Sequence, residues 1–133
     1  MNNDNDLFGD LIYSYTRKQA LEDGTLIDVT SMAREAGIKY PVAVTAELYH
    51  GYIEPTEKEQ EHGQDHDGRL WDVLYMFVFN ARKADGSLLH YKVSFVKEQP
   101  DGELRNETQK IKAVIGPGDD ANPVITLMMP YED

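Results

Sequence analysis

"DGRLWDVLYMFVFNARKADGSLLHYKVSFV", residues 67–96, changes its hydrophobic period halfway along. In the first half Leu70, Trp71, Leu74, Phe77, Val78 and Ala81 recur at the i, i+3, i+4 spacing of an α-helix, and Asp67 is suited to cap it. After "ADG" (84–86) the spacing drops to two. Leu89, Tyr91, Val93 and Phe95 then alternate with His90, Lys92 and Ser94, as in a half-buried strand. A helix over 67–83 therefore runs directly into a strand. Val73, Tyr75 and Phe79 widen the helix's apolar surface beyond one stripe, so it is either the central core element or also faces a second chain.

Downstream, the strand signals continue. "EQPDGELRNE" (98–107) carries a Pro-Asp-Gly turn, "TQKIKAVI" (108–115) alternates through Ile111, Ala113 and Ile115, and "PVITLMM" (123–129) is apolar on both faces. The connection "VIGPGDDANPVIT" (114–126) is not a phosphate cradle, which would need a helix after the glycines; two adjacent aspartates would also repel the anion. Nor do Asp119 and Asp120 supply the alternating oxygen ligands of a calcium loop. It reads as a hairpin corner, with Gly116 and Gly118 for unusual φ values and Pro117 and Pro123 to stop ladder pairing.

Upstream, the signals are helical. "SYTRKQALEDG" (14–24) has capping-box spacing at Thr16 and Gln19, and Gly24 suits a left-handed terminus. "LIDV" (26–29) is extended or a short strand. "TSMAREAG" (30–37) suggests a second helix capped by Ser31 and ended by Gly37. In "YPVAVTAELYHGYIEP" (40–55), Val44, Leu48 and Tyr52 fall four apart, which suggests a third. Helices first and strands afterwards give an α+β class: an antiparallel sheet of about three strands from the C-terminal half, packed against helices from the N-terminal half. The expected organisation is a single domain over 1–133, with 1–6 disordered and 54–67 an exposed acidic loop.

Composition narrows the function. The 133 residues include no cysteine, which removes disulfides, thiolate metal sites and cysteine nucleophiles. Thirteen Lys and Arg stand against 24 Asp and Glu, a net charge of −11. That balance opposes direct binding of nucleic acid and favours a basic protein surface as partner. "MNNDNDLFGD" has neither part of a secretory signal, and "VLYMFVF" (73–79) is too short to cross a membrane, so a cytoplasmic location without membrane attachment is expected.

In the segment 54–67, the acids Glu54, Glu57, Glu59, Glu61, Asp65 and Asp67 outnumber the single base Lys58. Together with Tyr49 and Tyr52 they form the candidate protein-binding surface. His62, Asp65, His66 and Asp67 are the weak candidates for metal ligands, opposed by Gly63 and the density of charge. Glu47, His50 and Glu54 could flank a histidine base, but no nucleophile motif accompanies them, and surface ion pairing is the simpler reading. No catalytic residue and no cofactor is expected.

Three segments, "DGTLIDVTSMAREAGIKYPVAVT" (23–45), "GRLWDVLYM" (68–76) and "IGPGDDANPVITLMMPYED" (115–133), carry a resemblance. They are similar to a bacterial domain family of unassigned function found on plasmids, phages and integrative elements. The resemblance implies an accessory gene of mobile DNA and transfers no site residue. The expected function is a non-enzymatic protein-interaction module, in its sharper form an inhibitor of a host nucleic-acid-binding protein. The alternative is a metal-assisted enzyme acting on nucleic acid or nucleotides. The apolar breadth of helix 67–83 also allows a homodimer.

Overall fold

The computed structural model describes residues 15–83 and 86–133. The tail 1–6, expected to be disordered, lies outside the described residues. Helix α1 (Arg17–Asp23) leads into β1 (Leu26–Asp28), α2 (Thr30–Glu35) and β2 (Val42–Thr45). A short α3 (Ala46–Leu48) is continued by a π-helical turn, Tyr49–Ile53. Then come α4 (Glu57–Glu61), α5 (His66–Ala81), β3 (Leu88–Glu98), β4 (Leu104–Pro117) and β5 (Pro123–Met128).

The α+β class holds, with N-terminal helices packed on a sheet whose C-terminal strands β3, β4 and β5 are antiparallel. The sheet is larger than expected. It has five strands in the order β1-β2-β5-β4-β3, and it is mixed, because β5 runs parallel to β2. The helix expected over 40–55 begins only at Ala46. Val42, Ala43, Val44 and Thr45 are all buried between β1 and β5, and a strand covered on both sides is a continuous apolar run without a period-2 signature. Thr45 then caps α3, its hydroxyl accepting from Leu48 N at 3.3 Å. Glu54 N donates to Tyr49 O at 2.8 Å, five residues back, which closes the π-helical turn.

Strand β3 alternates as its sequence requires, with Leu89, Tyr91, Val93 and Phe95 buried. Against that face α5 lays Leu70, Val73, Leu74 and Phe77. The Tyr91 hydroxyl donates to Val73 O at 2.9 Å, so a polar group at the centre of the core is satisfied by the helix backbone. Val42, Val44, Leu48, Ile111, Ile125 and Leu127 belong to the same cluster.

Two caps differ from expectation. Asp65, not Asp67, caps α5, with Oδ1 accepting from Gly68 N at 2.6 Å; a Cβ at Gly68 would sit 2.9 Å from that oxygen, so the glycine makes room for the cap. Val29, not Ser31, occupies the N-cap of α2, and the neighbouring Thr30 hydroxyl bonds Asp28 Oδ1 at 2.6 Å and receives Val42 N at 3.1 Å. The capping box at Thr16 and Gln19 and the left-handed Gly24 (φ 85°) are as read from the sequence.

The stretch 118–122 is a hairpin corner between β4 and β5, but its glycines serve differently than expected. The positive φ falls on Ala121 (69°), not on Gly116 or Gly118. Gly118 is required for space, since a Cβ there would lie 2.9 Å from Val124 Cγ1. The corner also anchors α1. Asp119 accepts from Arg17 N at 3.0 Å and from Lys18 N at 2.9 Å, while the Arg17 guanidinium reaches Thr126 Oγ1 at 2.7 Å and Ile125 O at 3.0 Å.

Candidate functional site

Helix α5 is apolar on two sides, and only one of them is in the core. A helix turns 100° per residue, so Leu70, Val73, Leu74 and Phe77 share one face while Trp71, Tyr75 and Phe79 share another. The sequence places Trp71 in the core stripe; in the structure Val73 takes that place. Trp71, Tyr75 and Phe79 are 38%, 51% and 60% exposed. Trp71 and Tyr75 stack with centroids 6.3 Å apart, and Lys83 Nζ stands 5.8 Å from the Phe79 ring. Tyr75, Val78, Phe79 and Arg82 line a shallow groove of about 230 Å³ at the C-terminal end. At the other end Trp71 shares a depression with Asp65 and Asp72, which brings acidic side chains directly beside the aromatic stripe. Partial burial pushes the Asp72 carboxyl up from its ordinary value.

The segment 54–67 is not one exposed loop. Thr56 and Glu59 form a reciprocal capping box that starts α4. Glu54, Glu57, Glu61, Asp65 and Asp67 are exposed, as expected. Glu59 is not, and it leaves the candidate surface. Its Oε1 lies 3.0 Å from Nη2 of Arg69 and accepts from Thr56 N at 3.0 Å, while Oε2 accepts from Glu98 N at 2.6 Å. Arg69, on the core side of α5, also donates to Tyr52 O at 2.9 Å and to Val96 O. Burial alone would raise the Glu59 carboxyl, but the Glu98 and Thr56 amides and the Arg69 and Lys97 cations bring it below the usual glutamate range.

The weak metal candidates do not converge. His62 Nδ1 lies 3.0 Å from Lys58 O, His66 Nδ1 lies 2.9 Å from Asp67 Oδ1, and one Asp65 oxygen is taken by its helix cap. Among the described residues no three His, Asp or Glu side chains come together as a metal-binding group. Glu47, His50 and Glu54 divide into separate surface pairs: Glu47 accepts from the Tyr131 hydroxyl at 3.0 Å, and His50 Nδ1 meets Glu54 Oε1 at 3.2 Å.

The two candidate tyrosines face inward contacts. Tyr49 is half-buried, edge-on to His50 and His66 at 5.2 and 5.4 Å. Tyr52 packs on Phe95 at 5.1 Å, lies under Lys97 Nζ at 4.5 Å, and donates to Glu107 Oε2 at 2.5 Å. Burial and the Glu107 bond push its phenol up to about 12. The aromatic residues Trp71, Tyr75 and Phe79 of α5 are more exposed than either of these tyrosines.

Fold and surface together define a small α+β domain that presents an aromatic helix face beside exposed carboxylates. The chain belongs to the Family of unknown function (DUF6573), whose family model matches residues 1–133. No curated protein and no solved structure matches the chain. Among the described residues no helix is long and apolar enough to cross a membrane.

Proposed function

We propose that this chain is a non-enzymatic protein-interaction module whose contact surface is the α5 stripe. The observation that carries the reading is the exposure of Trp71, Tyr75 and Phe79 at i, i+4 and i+8 on a helix whose opposite side is core. Tryptophan, tyrosine and arginine are the residues that dominate binding energy at protein interfaces, and an exposed run of large aromatics is favoured only when something covers it. The carboxylates of Asp65 and Asp72 beside Trp71, in a chain of net charge −11, favour a basic partner. It is a protein with an apolar groove rimmed by Lys and Arg, approached faster at low salt. A basic groove of this kind is also what a nucleic-acid-binding protein offers, which fits the inhibitor form of the proposal. The mobile-element setting implied by the sequence resemblance suits such an accessory.

The test is affinity capture from host lysate with the wild-type chain and with two variants, Tyr75→Ser/Phe79→Ser and Glu57→Lys/Glu61→Lys/Asp72→Lys. The expected result is one stoichiometric partner, lost with the aromatic variant and made insensitive to salt by the charge reversal. Recovery of the same proteins by all three chains would sink the proposal.

A further inference from the structure

Strand β3 ends the sheet, and the covering of its free edge is incomplete. Ile115 N donates to Ser87 O at 2.8 Å, so the odd-numbered residues along this strand turn their peptide groups toward β4 and the even-numbered ones turn theirs outward. At the C-terminal end two of those outward groups are bonded by side chains. Arg69 caps Val96 O and Glu59 caps Glu98 N. Farther back, the N–H and C=O groups of His90, Lys92 and Ser94 meet no partner among the described residues.

The side chains of the same residues lie on the sheet face opposite α5, and that face is basic. Register puts His90 opposite Lys112 and Lys92 opposite Lys110. Both are non-hydrogen-bonded pairs, the closer kind, and like charges directly opposite one another destabilise a sheet. Among the described residues neither Lys92 nor Lys110 has a carboxylate within ion-pair distance, although acids outnumber bases 24 to 13 in the chain. A lysine on an edge strand can be explained as protection against aggregation. That covers Lys92 and leaves Lys110, on the inner strand β4, unexplained.

We infer that the outer edge of β3 binds an extended acidic polypeptide as a sixth strand, at a surface separate from the α5 stripe. The partner's backbone pairs with His90, Lys92 and Ser94, and its alternate carboxylates meet Lys92 and Lys110. A nucleic acid strand fits less well. On this face β3 and β4 carry no Phe, Tyr or Trp on which bases could stack.

The experiment uses the full chain, isotope-labelled for amide hydrogen exchange by NMR, with a peptide of alternating glutamate and valine as probe. Exchange at His90, Lys92 and Ser94 is expected to slow by about tenfold or more on binding. Lys92→Glu/Lys110→Glu is expected to weaken binding by about tenfold or more. His90→Pro, which removes an outward N–H and no ladder bond, is expected to weaken binding by a similar factor with the fold retained. The inference is overturned if the peptide does not bind, or if a version N-methylated at alternate amides binds equally well. It is also overturned if oligothymidylate gives the same protection, or if protection rises with protein concentration alone, which would make a second copy the occupant.

Discussion

Arg69 and Glu59 form an ion pair inside the molecule, with Nη2 and Oε1 3.0 Å apart and side chains 3% and 1% exposed. The pair joins α4, α5 and the edge of β3, and each partner also bonds backbone groups that would otherwise be stranded. Removing one member of such a pair leaves the other charged and buried, which destabilises by about 3–5 kcal/mol. Arg69→Met is expected to fall in that range in urea unfolding at neutral pH. The double change Glu59→Gln/Arg69→Met is expected to destabilise by less than the sum of the singles.

The same pair sets an acid dependence. The Glu59 carboxyl is held below its usual range in the fold, so its contribution is complete above the unfolded-state value and is lost as pH falls through the folded-state value. Unfolding free energies followed from neutral to acidic pH are expected to decline less steeply in Glu59→Gln than in the wild type.

Trp71, Tyr75 and Phe79 lie outside the core, and the proposed function predicts that they matter for binding and little for folding. Phe79→Ser is expected to change stability by no more than about 0.5 kcal/mol, since the ring is mostly in solvent. Leu74→Ala, on the opposite face of the same helix and fully buried, is expected to cost about 2–5 kcal/mol. Thermal and urea unfolding of the two variants separates the faces of α5.

Tyr52 gives an alkaline signature. Its phenol is pushed up to about 12, so the stabilisation is complete below the ordinary tyrosine range and is lost as pH rises through about 12. Absorbance titration is expected to show a tyrosine ionising near that value, and Tyr52→Phe is expected to remove the step. Losing the bond to Glu107 is expected to cost about 1 kcal/mol.

Asp119 is the test of the hairpin corner. Hydrogen bonds from the Lys18 and Arg17 amides keep its carboxyl low. In Asp119→Ala those two amides are expected to exchange faster, while amides of β3 and β4 keep their rates.

The hydrophobic period decided what could be read in advance. Helix α5 and strand β3 stand in the sequence because one face of each is core, which leaves a period of 3.6 or 2. Strand β2 has no such trace: Val42–Thr45 is buried on both faces and runs straight into a true helix, so the four-residue spacing of Val44, Leu48 and Tyr52 joined two unlike elements into one. Charge counting misread Glu59 for a related reason. Its partner Arg69 is ten positions away, and the burial of the pair depends on how α4 docks against β3. The spacing of Thr56 and Glu59, a capping-box pattern, was the available local signal. The aromatic stripe was visible as excess apolar breadth, but which of Trp71 and Val73 faced inward was fixed by the three-dimensional phase of the helix.

The parallel pairing of β2 with β5 sets the order in which the chain can mature. Strand β5 lies between β2 and β4, so until residues 123–128 are in place the β1–β2 pair and the β3–β4 hairpin are two separate fragments of sheet. A chain growing from its N terminus carries Val42 and Val44 uncovered through most of its synthesis, and closure awaits a contact between positions more than 80 residues apart. Long-range closure of this kind makes folding slow, and the waiting strands are exposed to wrong partners meanwhile.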